Sequence, residues 1–375
     1  MMRRMQVRPT AATVELAAIR HNLGVVRRLV GERAVCGLVK ADAYGHGLVP
    51  VARTLAAAGV DFLAVALVEE GVTLRQSGIE TPILVLGGAL EGGYDALVAE
   101  RLTPALFRLE HLDRLARAVG HGSCDFHLKV DTGMARLGLQ PDEIGAFVAR
   151  LATYPQLHLA GVLTHFANAD LADRDFNAQQ LARFQAAIVS LGQLGHAPRW
   201  VHLANSAAVL SYPDAHQVLV RPGLMLYGLD PLVPASGEHL EPAMRWTTRA
   251  IHVKDVEAGV RVSYGGRWTA SRRSRILTLP VGYGDGYPRV LGNRAQVLIR
   301  GLRAPIVGSI CMDLCLADVT DVGGVGLEDE VVLLGAQGDD CIGAAELARW
   351  GDTIAYEIVC GVGARVPRHY VNEDR

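Results

Sequence analysis

Between about residue 30 and residue 225, eight short apolar runs alternate with amphipathic stretches, and no other feature limits the fold as strongly. The runs are Ala34–Lys40, Asp61–Ala66, Ile83–Leu86, Pro104–Phe107, Asp125–Val130, Leu157–His165, Arg199–Ala204 and Val218–Arg221. Each has the length of a buried strand and lacks the alternation of a half-exposed one. Helical patterns such as Leu48–Ala58, Leu109–Val119 and Phe176–Leu194 fall between them. Strand and helix alternating in this way predict a (β/α)8 barrel. An open doubly wound sheet is the alternative on pattern alone.

After about residue 235 the pattern changes. Pro231, Pro234 and Pro242 mark a linker, followed by glycine-bounded runs at Thr247–Val256, Arg275–Val281, Ala295–Ile299, Ile306–Val319 and Glu330–Leu334. With one convincing helix, near Ala344–Trp350, this predicts a mainly β second domain. The expected division is therefore residues 1–235 for the barrel and 236–375 for the β domain. Thr10–Glu15 is also strand-like and can pair with the β domain. It leads into a helix over Leu16–Val30 whose Ile19, Leu23, Val26 and Val30 share one face.

Composition narrows the function classes. The chain has 37 basic and 39 acidic side chains, which argues against a nucleic-acid partner, because phosphate binding relies on clustered cations. The one dense basic run, Arg267–Arg275, is short and serine-rich and reads as a solvated loop. The longest apolar stretch, around Phe62–Val68, falls far below the roughly 18 residues of a membrane span. Met1–Thr10 carries positive charge with no apolar core behind it, so no secretory signal is expected. Six cysteines at 36, 124, 311, 315, 341 and 360 form no CxxC pair. They read as reduced thiols of a cytoplasmic enzyme, not as a disulfide frame or a metal site.

In a barrel of this kind, catalytic groups stand at the C-terminal strand ends. Those ends carry Lys40, Lys129 with Asp131, His165, Asn205 with Ser206, and Arg221. One such residue is an ordinary surface charge, but five strand ends converging on one rim read as an active site. Lys40 closes an apolar run, so its amine can act as a base or form a Schiff base with an aldehyde cofactor. The loops Asn205-Ser206 and Arg221–Leu224 follow the last two strands, where such barrels commonly hold a phosphate. A lysine and a phosphate pocket on one rim suggest pyridoxal phosphate. By spacing alone, a sugar-phosphate aldolase fits nearly as well.

The strings themselves are more specific. Val39–Gly47 (VKADAYGHG), Lys129–Gly138 (KVDTGMARLG), Thr164–Ala167 (THFA), Ala204–Ala208 (ANSAA) and Val220–Gly223 (VRPG) closely resemble, in order, segments of the alanine racemase family. The resemblance continues through Val262–Gly265 (VSYG), Gly282–Gly286 (GYGDG), Ser309–Asp313 (SICMD) and Thr353–Glu357 (TIAYE). It implies a pyridoxal 5'-phosphate enzyme that interconverts L- and D-alanine, working in the cytoplasm to supply D-alanine for peptidoglycan. Lys40 is then the cofactor lysine and the base for D-alanine, and Tyr264 the opposite base for L-alanine. Inverting a stereocentre with one proton on each face calls for two opposed acid–base groups. A free tyrosine titrates at about pH 10, so positive neighbours are needed, and His165 and Arg221 are implied for that part.

The resemblance also places Arg221 against the pyridine nitrogen. A guanidinium keeps its proton, so the ring is a weaker electron sink and side reactions are suppressed. Arg136 is implied to contact the phenolic oxygen, and the Met312 N–H the substrate carboxylate. Tyr44, Ser206, Gly223, Leu224 and Tyr356 would hold the phosphate. Tyr283 would narrow the entrance, and Asp313 is either a site-edge group or a turn former. Lys129 and Arg136 both point at the site and need an anion between them; a carbamate formed from CO2 on Lys129 supplies one by resemblance, the alternative being a plain lysine beside a carboxylate. A homodimer with shared active sites is implied as well.

Three departures stand out: Asp42 where many relatives carry Asn, Ala135 where many carry Gly, and a loose match over Cys360–Arg365. Other readings are a racemase of broader specificity, for serine or basic amino acids, and a non-catalytic cofactor carrier. The carrier lacks the domain that supplies Tyr264 and Met312. A related decarboxylase is weakened by Arg221.

Overall fold

The computed structural model describes residues 8–171, 174–233 and 235–372; Pro234 of the linker lies outside them. The described chain forms two compact units. Strand β1 (Ala11–Glu15) runs directly into helix α1 (Leu16–Val30). Ile19, Leu23, Val26 and Val30 of α1 are all buried, as their spacing on one face requires.

The first unit, residues 18–43 and 48–241, is the (β/α)8 barrel. Its strands are β2 (Ala34–Leu38), β3 (Phe62–Val65), β4 (Ile83–Val85), β5 (Thr103–Leu106), β6 (Cys124–Lys129), β7 (Leu157–Leu163), β8 (Trp200–His202) and β9 (Leu219–Val220). They pair in parallel in chain order from β2 to β8, and β9 returns to pair with β2. The remaining gap is bridged by Val218 N–H to Val201 O at 3.3 Å and Arg221 N–H to Ala204 O at 2.8 Å. An open doubly wound sheet would have left two free edges, so that alternative is excluded.

The last two strands are shorter than their apolar runs. Helices between strands run from Leu48–Ala57 to Arg174–Gln193, but β8 is followed by the short helix Ser206–Ser211 and a 3-10 turn at Pro213–Ala215, and β9 by a 3-10 turn at Leu224–Tyr227. At β7 the residue opposite His127 is Gly161, where the register slips at Phe126/His127. A Cβ on Gly161 would lie 2.7 Å from the His127 ring, so a glycine is needed for the imidazole to enter the barrel.

The second unit comprises residues 8–17, Tyr44–Gly47 and 242–372. Strand β10 (Met244–Arg249) pairs antiparallel with β1, and β1 pairs in parallel with Arg368–Val371. The strand-like stretch at the N-terminus thus belongs to the β sheet, and its neighbour α1 to the barrel. The same sheet continues from β10 through Glu330–Gln337 and Gln296–Ile299 to Leu302–Pro305. A smaller antiparallel sheet joins His252–Val256, Ser274–Leu279 and Cys315–Asp318. Trp246 is fully buried and meets Tyr287 edge-on at 5.8 Å.

Two details differ from the sequence pattern. The run Ile306–Val319 contains only one strand, Cys315–Asp318, because Ile306, Val307 and Ile310 are buried in a folded-in loop. Apolar periodicity reports burial, not ladder hydrogen bonds. A second helix, Ala355–Gly361, also follows Ala344–Gly351. No described helix is long and apolar enough to cross a membrane.

Gly161→Ala is predicted to overpack the His127 contact and lower stability by about 1–3 kcal/mol. Urea unfolding followed by circular dichroism measures this; an unchanged midpoint would mean that the ring has room to move.

Candidate active site

Lys40 follows β2 and lies at the start of an unusual turn. Ala41, Asp42, Ala43 and Tyr44 all have φ near +53°, a left-handed path for four residues that are not glycine. Each such residue costs roughly 1–2 kcal/mol, so the surroundings must hold the turn. Glu70 accepts the Ala41 N–H at 2.6 Å, and through its other oxygen the N–H groups of Ala66 and Leu67. Asp42 accepts the Leu48 N–H at 2.7 Å. Asp and Asn tolerate this backbone region better than most residues, which accounts for either at position 42. Ala135, where relatives carry Gly, also has positive φ, 56°.

Lys40, Lys129, Arg136, His165 and Arg221 line one cavity of about 170 Å³ at the strand ends of the barrel. Lys129 is buried, and burial first, then the charges of Arg221, Arg136 and Lys40, lower its amine to about 8. Asp131 does not close the gap between the cations. Its Oδ1 folds back to accept the N–H groups of Gly133 and Ala135 at 2.9 and 3.1 Å.

Arg221 is 2 % exposed, and its hydrogen-bond acceptors are backbone carbonyls and neutral imidazoles. Its NH1 donates to His202 Nδ1 at 3.0 Å. Its NH2 donates to Thr164 O at 2.8 Å, His165 Nδ1 at 3.3 Å and Leu203 O at 3.4 Å. Burial lowers its pKa to about 10, still well above neutrality. A guanidinium can only donate, so His202 Nδ1 must accept and the His202 proton sits on Nε2. That proton faces His127 Nδ1 at 2.8 Å, which must therefore accept. Burial, and then the Arg221 charge, hold His127 at about 3 and His202 and His165 well below their ordinary value. All three imidazoles are neutral near pH 7, each in one tautomer.

Gln180 steadies the other side of His165. Fully buried, it accepts the Ala167 N–H at 2.9 Å and donates to His165 O at 3.1 Å. His127, His202 and Gln180 were not singled out from sequence. His127 lies inside the apolar run Asp125–Val130, where a histidine among apolar residues is the only signal.

Ser206 is buried and accepts the N–H groups of Gly223 and Met225 at 2.8 and 3.3 Å. Gly223 therefore spends its N–H on Ser206. The Leu224 N–H, at the start of the 3-10 turn, has no partner among the described residues and is the backbone donor left there.

In the β unit, Tyr264 and Tyr283 line a cavity of about 570 Å³ with Arg289, Ile310 and Cys311. Tyr264 is 73 % exposed and Met312 53 %. Tyr264 is held by its backbone: its carbonyl accepts the Ser309 hydroxyl at 2.9 Å, and Ser263 before it has φ +64°. The Tyr283 N–H donates to Cys311 O and the Gly284 N–H to Met312 O, at 3.1 and 2.9 Å. The Met312 N–H finds no acceptor among the described residues.

Asp285 is fully buried beneath this loop. It accepts Arg8 at 2.8 Å and the Gly282 N–H at 3.1 Å, with Arg365 Nε 3.4 Å away. Arg365 also donates to Asp313 at 2.7 Å, so Asp313 is an exposed ion-pair partner of the loosely matching segment. Tyr44 is buried in the same unit, its ring 5.8 Å from that of Tyr356. Arg368 holds the adjoining Gly45 carbonyl at 3.1 and 3.2 Å.

Two family descriptions match the chain: the alanine racemase N-terminal domain over residues 14–231 and the C-terminal domain over residues 243–370. The chain belongs to the alanine racemase family. An alanine racemase of Symbiobacterium thermophilum is 48 % identical over 371 residues, covering 98 % of both chains. The alanine racemase of Bacillus anthracis, solved with bound L-Ala-P, superposes with a TM-score of 0.93 at 34 % identity over 99 % of this chain and 97 % of that one. The biosynthetic alanine racemase of Pseudomonas aeruginosa gives 0.89 at 37 % identity, covering 98 % of this chain and all of its own. Alanine racemases depend on pyridoxal 5'-phosphate, and the barrel's donors suit that group. An amine stands at a strand end, a buried hydroxyl and an unspent N–H lie at the last loops, and the Arg221 Nε–H donates to nothing among the described residues.

His127→Phe keeps an aromatic ring but removes the acceptor of the His202 proton. It is predicted to cost about 1–3 kcal/mol through a stranded buried donor. It should also release His202 from its single tautomer, read by imidazole 15N NMR. An unchanged unfolding midpoint with an unchanged His202 spectrum would contradict this chain of bonds.

Proposed function

We propose that this chain racemises alanine by two opposed bases, Lys40 and Tyr264, with pyridoxal 5'-phosphate as cofactor. Full-length similarity to alanine racemases supports the activity, and the convergence of Lys40, His165, Arg136, Lys129 and Arg221 on one cavity carries the assignment of residues. The bound cofactor supplies an aldehyde that condenses with amines and a conjugated ring that stabilises negative charge at the substrate Cα.

The protein's part is proton management. Lys40 exchanges the proton on one face of Cα and Tyr264 that on the other. Arg221 fixes His165 with its proton on Nε2, so His165 can offer Tyr264 a hydrogen bond and favour the phenolate. Arg221 itself cannot yield its proton at neutral pH, so it would donate to the pyridine nitrogen of the bound cofactor without protonating it. Arg136 would orient the phenolic oxygen and the Met312 N–H the substrate carboxylate. Tyr44, Tyr356, Ser206, Gly223 and Leu224 are assigned to the phosphate, with Leu224 supplying the backbone donor that Gly223 does not. Tyr283 would border the substrate entrance, with Asp313 at its edge. In the cell the product would be D-alanine for peptidoglycan, made in the cytoplasm.

We assign the working form to a homodimer in which each barrel is served by the partner's β domain. The exposure of Tyr264 and Met312 supports this, since a catalytic phenol needs a surface against which to work. A two-fold operator lets one interface build two sites. The test is to refold Lys40→Ala and Tyr264→Phe, each nearly inactive, together in equal amounts. Chiral chromatography of alanine should then show activity returning to about a quarter of wild type, because half of randomly paired dimers carry one intact site. If mixing restores nothing, both bases come from one chain. If wild type leaves L-alanine unchanged and turns over L-serine or L-lysine, the substrate assignment fails.

Lys129 is assigned as a carbamate. The ammonium first loses one proton; the neutral amine then attacks CO2, forms an N–C bond and releases a second proton, so that +1 becomes −1 between cations. An amine held near 8 is neutral often enough for this reaction, unlike an exposed lysine. In 13CO2-equilibrated protein, a carbamate carbon resonance should appear and vanish in Lys129→Ala. Its absence from wild type would leave a plain lysine.

A further inference from the structure

Away from the cavity, the barrel unit carries a second group of ligating side chains. His21 lies on α1, and His239 and Glu241 lie where the chain leaves the barrel, 218 residues after His21 in the case of His239. His21 Nδ1 is 3.7 Å from Glu241 Oε1, and His239 Nε2 is 3.8 Å from the same oxygen. One ligand atom from each of the three residues falls within 4.8 Å of the others.

The arrangement is held from beneath. Asn22, fully buried, donates to Glu241 O at 2.8 Å and to Leu226 O at 3.1 Å, and accepts the Glu241 N–H at 2.8 Å. The backbone of Glu241 is therefore pinned next to the residue that bears one imidazole. His21 Nε2 lies 3.0 Å from the His239 carbonyl. A carbonyl only accepts, so the His21 proton sits on Nε2 and Nδ1 presents a lone pair to the carboxylate. Metal-binding histidines typically have this arrangement, with the second nitrogen donating to a backbone carbonyl. His21 Nδ1 and the carboxylate oxygen then meet lone pair to lone pair, and both imidazole nitrogens lie farther from that oxygen than a hydrogen bond reaches. A cation between them removes the repulsion.

We propose that His21, His239 and Glu241 bind a late first-row divalent metal ion, with zinc as the reference ion. Two imidazoles and a carboxylate suit zinc, nickel and copper better than magnesium or calcium. Tetrahedral zinc with bonds of about 2.0–2.1 Å spaces its ligands by roughly 3.3 Å. The two nitrogen-to-carboxylate separations therefore need to close by only about half an ångström, and the two ring nitrogens, within 4.8 Å of each other, by no more than about 1.5 Å. Three protein ligands leave the fourth position to water. The ion would staple residues 239–241 to α1 at the exit from the barrel. It touches none of the residues assigned to catalysis.

The test uses the full-length protein, stripped with a chelator and titrated with ZnCl2 by calorimetry. One equivalent should bind, and His21→Ala and His239→Ala should each weaken it at least about tenfold. His239 is exposed, so its loss should not endanger folding. Zinc should raise the melting temperature of wild type and of neither variant. Cobalt substitution should give visible d–d absorption from a four-coordinate ion with no thiolate charge-transfer band. Equal affinity in wild type and both variants would overturn the site, as would a thiolate band pointing to Cys341 or Cys360. No measurable zinc binding, with His21 protonated on both nitrogens by 15N NMR, would reduce the group to an ion pair.

Discussion

A guanidinium buried without a carboxylate governs the barrel's active end. Placing Arg221 there is expensive, and the cost is offset only by carbonyl and imidazole acceptors aimed at it from the ends of two strands, β7 and β8. Because those acceptors are neutral, the positive charge is undiminished. Burial first, and then this charge, keep His127, His165 and His202 uncharged and depress the Lys129 amine. A carboxylate at any of those places would have quenched the field. A cavity with this potential favours phosphate and carboxylate groups, and it leaves the Lys129 amine unprotonated more often near neutral pH than a lysine in water.

The turn after Lys40 is the second costly feature. Four successive left-handed residues do not persist on local preference, and Glu70 and Asp42 hold the turn by accepting otherwise stranded N–H groups. Glu70 does so while also tying down the end of β3, so two strand ends are set by one carboxylate. Strain of this kind at a functional lysine fixes the direction in which the side chain leaves the backbone. Asp285 has the equivalent part in the β unit. Buried between Arg8, Arg365 and the Gly282 N–H, it sets the loop that carries Tyr283 and packs beside Met312.

The sequence by itself determined the fold class, because runs of period zero and period 3.6 alternate in a way that a parallel closed sheet satisfies. It also picked out side chains that line the rim cavity, because a charged residue that ends an apolar run has nowhere to go but the rim. Lys40, Lys129, His165 and Arg221 were legible for that reason. The roles proposed for Tyr264, Met312 and Tyr356 rest on likeness to a family, since no spacing rule links a β-domain tyrosine to a barrel lysine. What only the tertiary structure decided were the partners separated by many residues. It paired β1 with β10 and Arg368–Val371, turned Asp131 back on its own loop, and spent the Gly223 N–H on Ser206. It also lined up His127, His202 and Arg221 from three strands. A tautomer depends on which atom stands 2.8 Å from a ring nitrogen, and local sequence contains no record of that distance. Hydrophobic patterning specifies which side chains leave water; closure of the barrel specifies which buried polar groups then meet.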